Sequence, residues 1–141
     1  MKKTASVKWQ GGIKDGKGHI STQSGVLKDA PYGFSARFED GPGTNPEELL
    51  GAAHAACFTM ALSLQLQEAG MKAENIATQA AVTLDKVEGG FAITAIHLDV
   101  AVRIPGADKA AFEKAAQGAK AGCPVSKVLN AKITMDARLE A

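Results

Sequence analysis

Between Asn45 and Gly70 the chain reads as one long helix that is apolar on nearly every side. Asn45 is a good N-cap, Pro46 suits the first helical position, and Glu48 stands where a capping-box partner belongs. Gly70 supplies the stop. From Leu49 to Leu66 the apolar positions run almost all round, as in a central helix and not a surface one. At 1.5 Å per residue, residues 46–69 would extend about 36 Å. Such a helix needs cover from several directions, more than one small sheet supplies.

The remaining sequence predicts strands and shorter helices around it. Ala5, Val7 and Trp9 alternate with Ser6, Lys8 and Gln10, the pattern of a half-buried strand. Residues 11–18 carry turn chemistry, and residues 19–27 form a second extended stretch. Phe34, Ala36 and Phe38 alternate with Ser35, Arg37 and Glu39, which predicts a third strand. Residues 75–86 and 90–104 read as two strands joined through VEGG, residues 87–90, as a hairpin. A helix capped by Asp108 and ending near Gly122 follows, then a short one opening at Cys123-Pro124, then a strand over residues 132–140. Three strands, a helix, two strands, two helices and a strand make an α+β layout without Rossmann alternation. No linker or internal repeat breaks it, so residues 1–141 are expected to form a single domain.

A formal net charge of +1 with scattered lysines gives no electrostatic reason to expect nucleic acid or an anionic membrane as partner. No apolar stretch is expected to reach the roughly 18–20 residues of a bilayer span. The N-terminal MKKTASVKWQ lacks the apolar core of a signal peptide, so the expected location is cytoplasmic. In a reducing compartment the chain's two cysteines, Cys57 and Cys123, are either buried thiols or chemically active ones.

Phosphate-cradling, nucleophile-elbow and dinucleotide motifs are absent, and His19, His54 and His97 lack metal-ligand spacing with the cysteines. Cys57 falls in the middle of the apolar helix, out of reach of the helix dipole, so burial raises its pKa unless a cation is brought to it. It is either small core filler or a thiol activated from elsewhere. His54, three residues earlier on the same helical face, is one candidate activator and otherwise a core histidine. Cys123 precedes Pro124 at a helix start, where amides and the dipole favour thiolate. Read alone it is the more acidic of the two, or simply a cap. Arg37 without other information is an exposed strand residue, and Glu47 a first-turn carboxylate.

TNPEELLGAAHAACFTMALS together with AGCPVSKVL resembles the OsmC/Ohr family of organic hydroperoxide peroxidases over essentially the whole chain. GKGHISTQSGVL and PYGFSARFE are similar to the osmotically inducible OsmC branch. The resemblance implies an OsmC-like fold, an intertwined homodimer with antiparallel sheets wrapped around central long helices. It implies that Cys57 is the peroxide-reacting thiol, Cys123 the thiol that resolves it to a disulfide, Arg37 the cation and Glu47 the carboxylate that holds it. His54 is not carried over.

On that basis Cys57 would attack the distal oxygen of a hydroperoxide, release an alcohol and become a sulfenic acid. Cys123 would condense with it, and a dithiol, lipoyl-bearing in the family, would reset the pair. No metal, haem, flavin or nucleotide cofactor is implied. Phe34, Phe38 and Phe58 are candidates for an apolar pocket favouring organic over hydrogen peroxide. Glu47 and Cys57 lie roughly 15 Å apart along a straight helix. Either the helix breaks near Gly51, or Arg37 swings between them, or one partner comes from a second chain, with Arg37 reaching Cys57 across the interface. Two rivals stand beside this reading: a Cys57–His54 acyl-transfer hydrolase, and a non-catalytic thiol redox sensor or stress-binding module.

Overall fold

The computed structural model describes residues 1–140 and divides into two compact units, Met1–Leu49 and a second from Leu50 onward. In the first, β1 (Ala5–Gln10), β2 (Lys17–Thr22) and β3 (Ala30–Tyr32) form an antiparallel meander in that order. Gly18 pairs with Trp9 on one side and Tyr32 on the other. A Cβ on Gly18 would stand 2.1 Å from the Tyr32 ring and 2.8 Å from the Trp9 ring. Its bare backbone therefore lets the two rings close over it, with centroids 5.6 Å apart.

The third predicted strand does not form over residues 34–38. Pairing stops at Tyr32, and Phe34–Phe38 is a short helix, α1. The reason is that the two periods coincide on this stretch. Phe34 and Phe38 alternate as in a strand, but they also stand four residues apart, one helical turn. Their rings meet at 5.0 Å while Ala36 is buried.

The long helix α2 is Pro46–Glu68. Asn45 Oδ1 accepts the Glu48 amide at 2.7 Å, as its capping role predicts. Glu48 does not complete the capping box; its carboxylate accepts the Thr44 hydroxyl at 2.6 Å. At the other end Gly70 takes φ +79°, its amide bonds Gln67 O at 3.0 Å and the Met71 amide bonds Leu66 O at 2.8 Å. That is a Schellman stop. The helix does not break at Gly51. That residue is buried, and a Cβ there would lie 3.4 Å from Val82 and 3.5 Å from the Ala80 carbonyl.

In the second unit β4 (Asn75–Val87) and β5 (Gly90–Arg103) form a hairpin with Gly89 at φ +87° in its turn. Helices α3 (Lys109–Gly122) and α4 (Pro124–Val128) then lead to β6 (Lys132–Glu140). This second sheet is not purely antiparallel: β6 lies beside β5 and parallel to it. The crossover through two helices returns the chain to the same end of the sheet, which requires a parallel partner. The core joins Phe58, Leu62 and Leu66 of α2 to Ile96, Leu98, Val100 and Val102 of β5 and to Phe112 and three alanines of α3.

One expectation about the helix fails. An 18-residue window of α2 has a mean hydropathy of 1.5, so by length and composition it reaches the size of a membrane span. The apolar run includes its alanines and Gly51, which carry little side chain but no charge. Its inner side is built into protein, with Phe58 and Leu62 wholly buried. Its other side leaves Met60 and Leu64 exposed, at 78% and 54%.

Candidate active site

The first unit sets Arg37 against Glu47. Arg37 stands in the last turn of α1, not on a strand, and Glu47 is the second residue of α2. Asn45 joins the two elements: while its oxygen caps α2, its Nδ2 donates to Ala36 O at 3.0 Å. The guanidinium then meets the carboxylate side-on. Nε donates to Oε1 at 3.0 Å and to Oε2 at 3.3 Å, and Nη2 donates to Oε1 at 2.8 Å. Glu47 is buried, and Arg37 also lies 5.3 Å from the centroid of the Phe38 ring. Charge-assisted paired hydrogen bonds of this kind fix orientation as well as position. Nη1 takes no part in the pair.

Beside Arg37 opens a cavity of about 210 Å³ walled by Trp9, Ile13, Tyr32, Phe34 and Phe38. Two of the three phenylalanines considered for an apolar pocket, Phe34 and Phe38, line this cavity. Phe58 does not; it is wholly buried in the core cluster that also contains Cys123 and against which Cys57 packs. Trp9, Ile13 and Tyr32 escaped sequence reasoning, since only the strand register brings Trp9 and Tyr32 together across Gly18.

The second unit brings Cys57 and Cys123 together. Cys57 lies mid-helix and is partly exposed, whereas Cys123 is fully buried at the junction of α3 and α4. Both are free thiols, joined by a side-chain hydrogen bond. Their environments push them apart. Burial raises the Cys57 pKa, the Val125 amide opposes this, and Cys123 adds to the rise. At Cys123 burial also pushes upward. Hydrogen bonds from Cys57, from the amide and hydroxyl of Ser126 and from the Val125 amide outweigh it and hold the thiol below its ordinary value. The Ser126 amide reaches Cys123 Sγ at 3.4 Å, the bond expected of an N-cap. Ser126 was legible in principle, because it stands three residues after the cap.

His54 does not pair with Cys57. It is fully buried, and its Nε2 lies 2.7 Å from Ser126 Oγ. Burial lowers its pKa from the usual 6.5, which keeps it neutral. A Cys57–His54 hydrolytic dyad loses its support.

An OsmC-like protein family model matches residues 39–138. The chain is 59% identical over 138 residues to peroxiredoxin OsmC of Escherichia coli K12, covering 98% of this chain and 96% of that protein. It is 32% identical over 138 residues to the organic hydroperoxide resistance protein OhrB of Bacillus subtilis, covering 97% and 96% respectively. The crystal structure of that OhrB matches this fold with a TM-score of 0.71 over 96% of this chain and 98% of that one, at 31% identity. With this sequence likeness, this fold and this paired-thiol geometry, the chain belongs to the OsmC-like family.

Proposed function

We infer that this chain is a cysteine-based peroxidase that reduces organic hydroperoxides in stress defence, and that Cys57, Cys123, Arg37 and Glu47 carry the reaction. Cys57 thiolate attacks the distal oxygen, the O–O bond breaks, and the alcohol leaves with a proton. Cys57 becomes a sulfenic acid. Cys123 displaces its hydroxyl as water, forming the Cys57–Cys123 disulfide, and two electrons from a dithiol return both thiols.

The observation that carries this reading is the pairing of a partly exposed Cys57 with a fully buried Cys123 whose sulfur accepts the Ser126 amide. A peroxide from solvent meets Cys57 first. The donors around the buried sulfur lower the Cys123 pKa, which suits the second step, where a thiolate must attack a neighbour. Cys57 needs a positive charge beside it to ionise, and Arg37 of a second copy, oriented by its Glu47, supplies it. The aromatic walls beside Arg37 suit the organic part of the substrate. A second copy of the chain covers Met60 and Leu64, giving a homodimer, with no call on a lipid bilayer or nucleic acid, in the cytoplasm.

The test is stoichiometric. With a dithiol present, many equivalents of tert-butyl hydroperoxide are expected to be consumed per chain; a redox sensor would consume one. Cys57→Ser abolishes consumption, and Cys123→Ser permits one oxidation without recycling by the dithiol. Loss of the first oxidation in Cys123→Ser alone would reverse the two roles.

A further inference from the structure

We propose that His54 is a positioning residue for disulfide formation: through Ser126 it fixes the donors that hold the Cys123 sulfur ready to attack. This rests on Cys123 being the resolving thiol. His54 is a buried titratable group that the peroxidase chemistry does not otherwise use, and its surroundings assign its tautomer. Nε2 has a partner, Ser126 Oγ at 2.7 Å, while Nδ1 is buried with none among the described residues. A buried lone pair without a partner is tolerated better than a buried N–H without one. The proton therefore sits on Nε2, which donates to Ser126 Oγ.

That assignment settles the serine. A hydroxyl has one proton and rotates to suit its neighbours. With Oγ already accepting from His54, the O–H is free for Cys123, and a Ser126 side-chain hydrogen bond is among those that stabilise the Cys123 thiolate. The Ser126 amide is the second donor to the same sulfur. Ser126 thus commits both of its protons to Cys123, and the imidazole locks the one that could turn away. Ser126 is three residues past Cys123 and His54 three before Cys57, so the relay ties the first turn of α4 to α2 beside the reacting pair. In the step it serves, Cys123 thiolate attacks Cys57 Sγ, the S–O bond breaks as the S–S bond forms, and hydroxide leaves as water with the proton Cys123 gave up. His54 stays neutral throughout.

The test uses the reduced full-length enzyme in single turnovers with cumene hydroperoxide, following sulfenic acid formation and disulfide formation separately. His54→Ala and Ser126→Ala are expected to slow disulfide formation about tenfold or more, the scale of one lost hydrogen bond to a charged group, while the first oxidation keeps its rate. His54→Gln, whose amide can donate from the same place, is expected to retain most of the rate. In a Cys57→Ser background, thiolate absorbance near 240 nm should show Cys123 titrating at higher pH in both alanine variants and unshifted in His54→Gln. A merely structural histidine would lower stability without moving that titration. Unchanged titration and unchanged disulfide formation in folded His54→Ala or Ser126→Ala overturn the proposal. Should His54→Ala not fold, Ser126→Ala and His54→Gln carry the test. Failure of the unsubstituted enzyme to form a disulfide would instead overturn the assignment of Cys123, and the titration would still decide whether His54 acts through Ser126.

Discussion

Arg37 keeps 37% of its side chain exposed while giving Nε and Nη2 to a nearly buried Glu47. An ion pair with one partner that open contributes only about 1 kcal/mol to folding. Its value lies in direction: a guanidinium held edge-on by one carboxylate presents a fixed charge elsewhere. Arg37→Lys keeps a charge but loses the planar fork, so peroxide reduction should fall by roughly 10²–10³, as when one transition-state donor is removed. Its melting temperature should move little. The pH profile checks the cause. Burial drives Cys57 towards the protonated form, so without the guanidinium its thiolate fraction at neutral pH falls and activity returns only as pH rises. A rate loss that is the same at every pH would mean that Arg37 does not act on the ionisation of Cys57. At this scale the sequence shows two thiols but not their proximity: Cys57 and Cys123 are far apart in the chain, and only α3 and α4, folding back onto α2, bring the sulfurs together. The helix caps were legible because each is a local bond, Asn45 to Glu48, Asp108 to Ala111 and Cys123 to Ser126.

Segments with a single period take the expected element, although β1, expected to be half-buried, is exposed at every position, and the stretch that two periods share is a helix instead of a strand. Strand β5 alternates without ambiguity and buries every second residue from Ile96 to Val102. Residues 34–38 satisfy strand and helix alike, and the tie is broken from outside, by Asn45 donating to the Ala36 carbonyl. A carbonyl caught this way belongs to a short helix whose end needs a partner. Asn45 is thus the hinge pin between the arginine's helix and the glutamate's. Asn45→Asp keeps the oxygen that caps α2 and loses the amide that holds α1. It should leave stability within about 1 kcal/mol while lowering the peroxidase rate. Asn45→Ala loses both bonds and should cost about 1–2 kcal/mol in denaturant unfolding as well. Equal rates in Asn45→Asp and the unsubstituted enzyme would mean that α1 holds Arg37 in place by itself.

For the molecule as a whole, the length and all-round apolarity of α2 was the most telling feature of the sequence, and it overshoots what one chain can cover. Phe58, Leu62 and Leu66 are buried, yet Met60 and Leu64 stay open on the same helix. These two side chains are where a second copy would dock under the homodimer reading. A closed dimer with two-fold symmetry would place α2 of each copy against the other and give two equivalent active sites. It also permits Arg37 of one copy to serve Cys57 of its partner, which removes the difficulty that Glu47 and Cys57 stand ten positions apart on an unbroken helix. Mixing two inactive proteins tests this directly. Arg37→Ala retains the thiols and lacks the cation; Cys57→Ser retains the cation and lacks the thiol. If the arginine acts across the interface, a mixed dimer contains one site with both groups intact and one with neither. Random re-association makes half the dimers mixed, so the mixture should recover about a quarter of the unsubstituted activity per chain. If Arg37 serves its own chain, every site in every dimer lacks one group and the mixture stays as inactive as its components. Met60→Glu combined with Leu64→Glu should prevent recovery altogether and shift the protein to a monomer in sedimentation, since two buried carboxylates facing their symmetry mates oppose association.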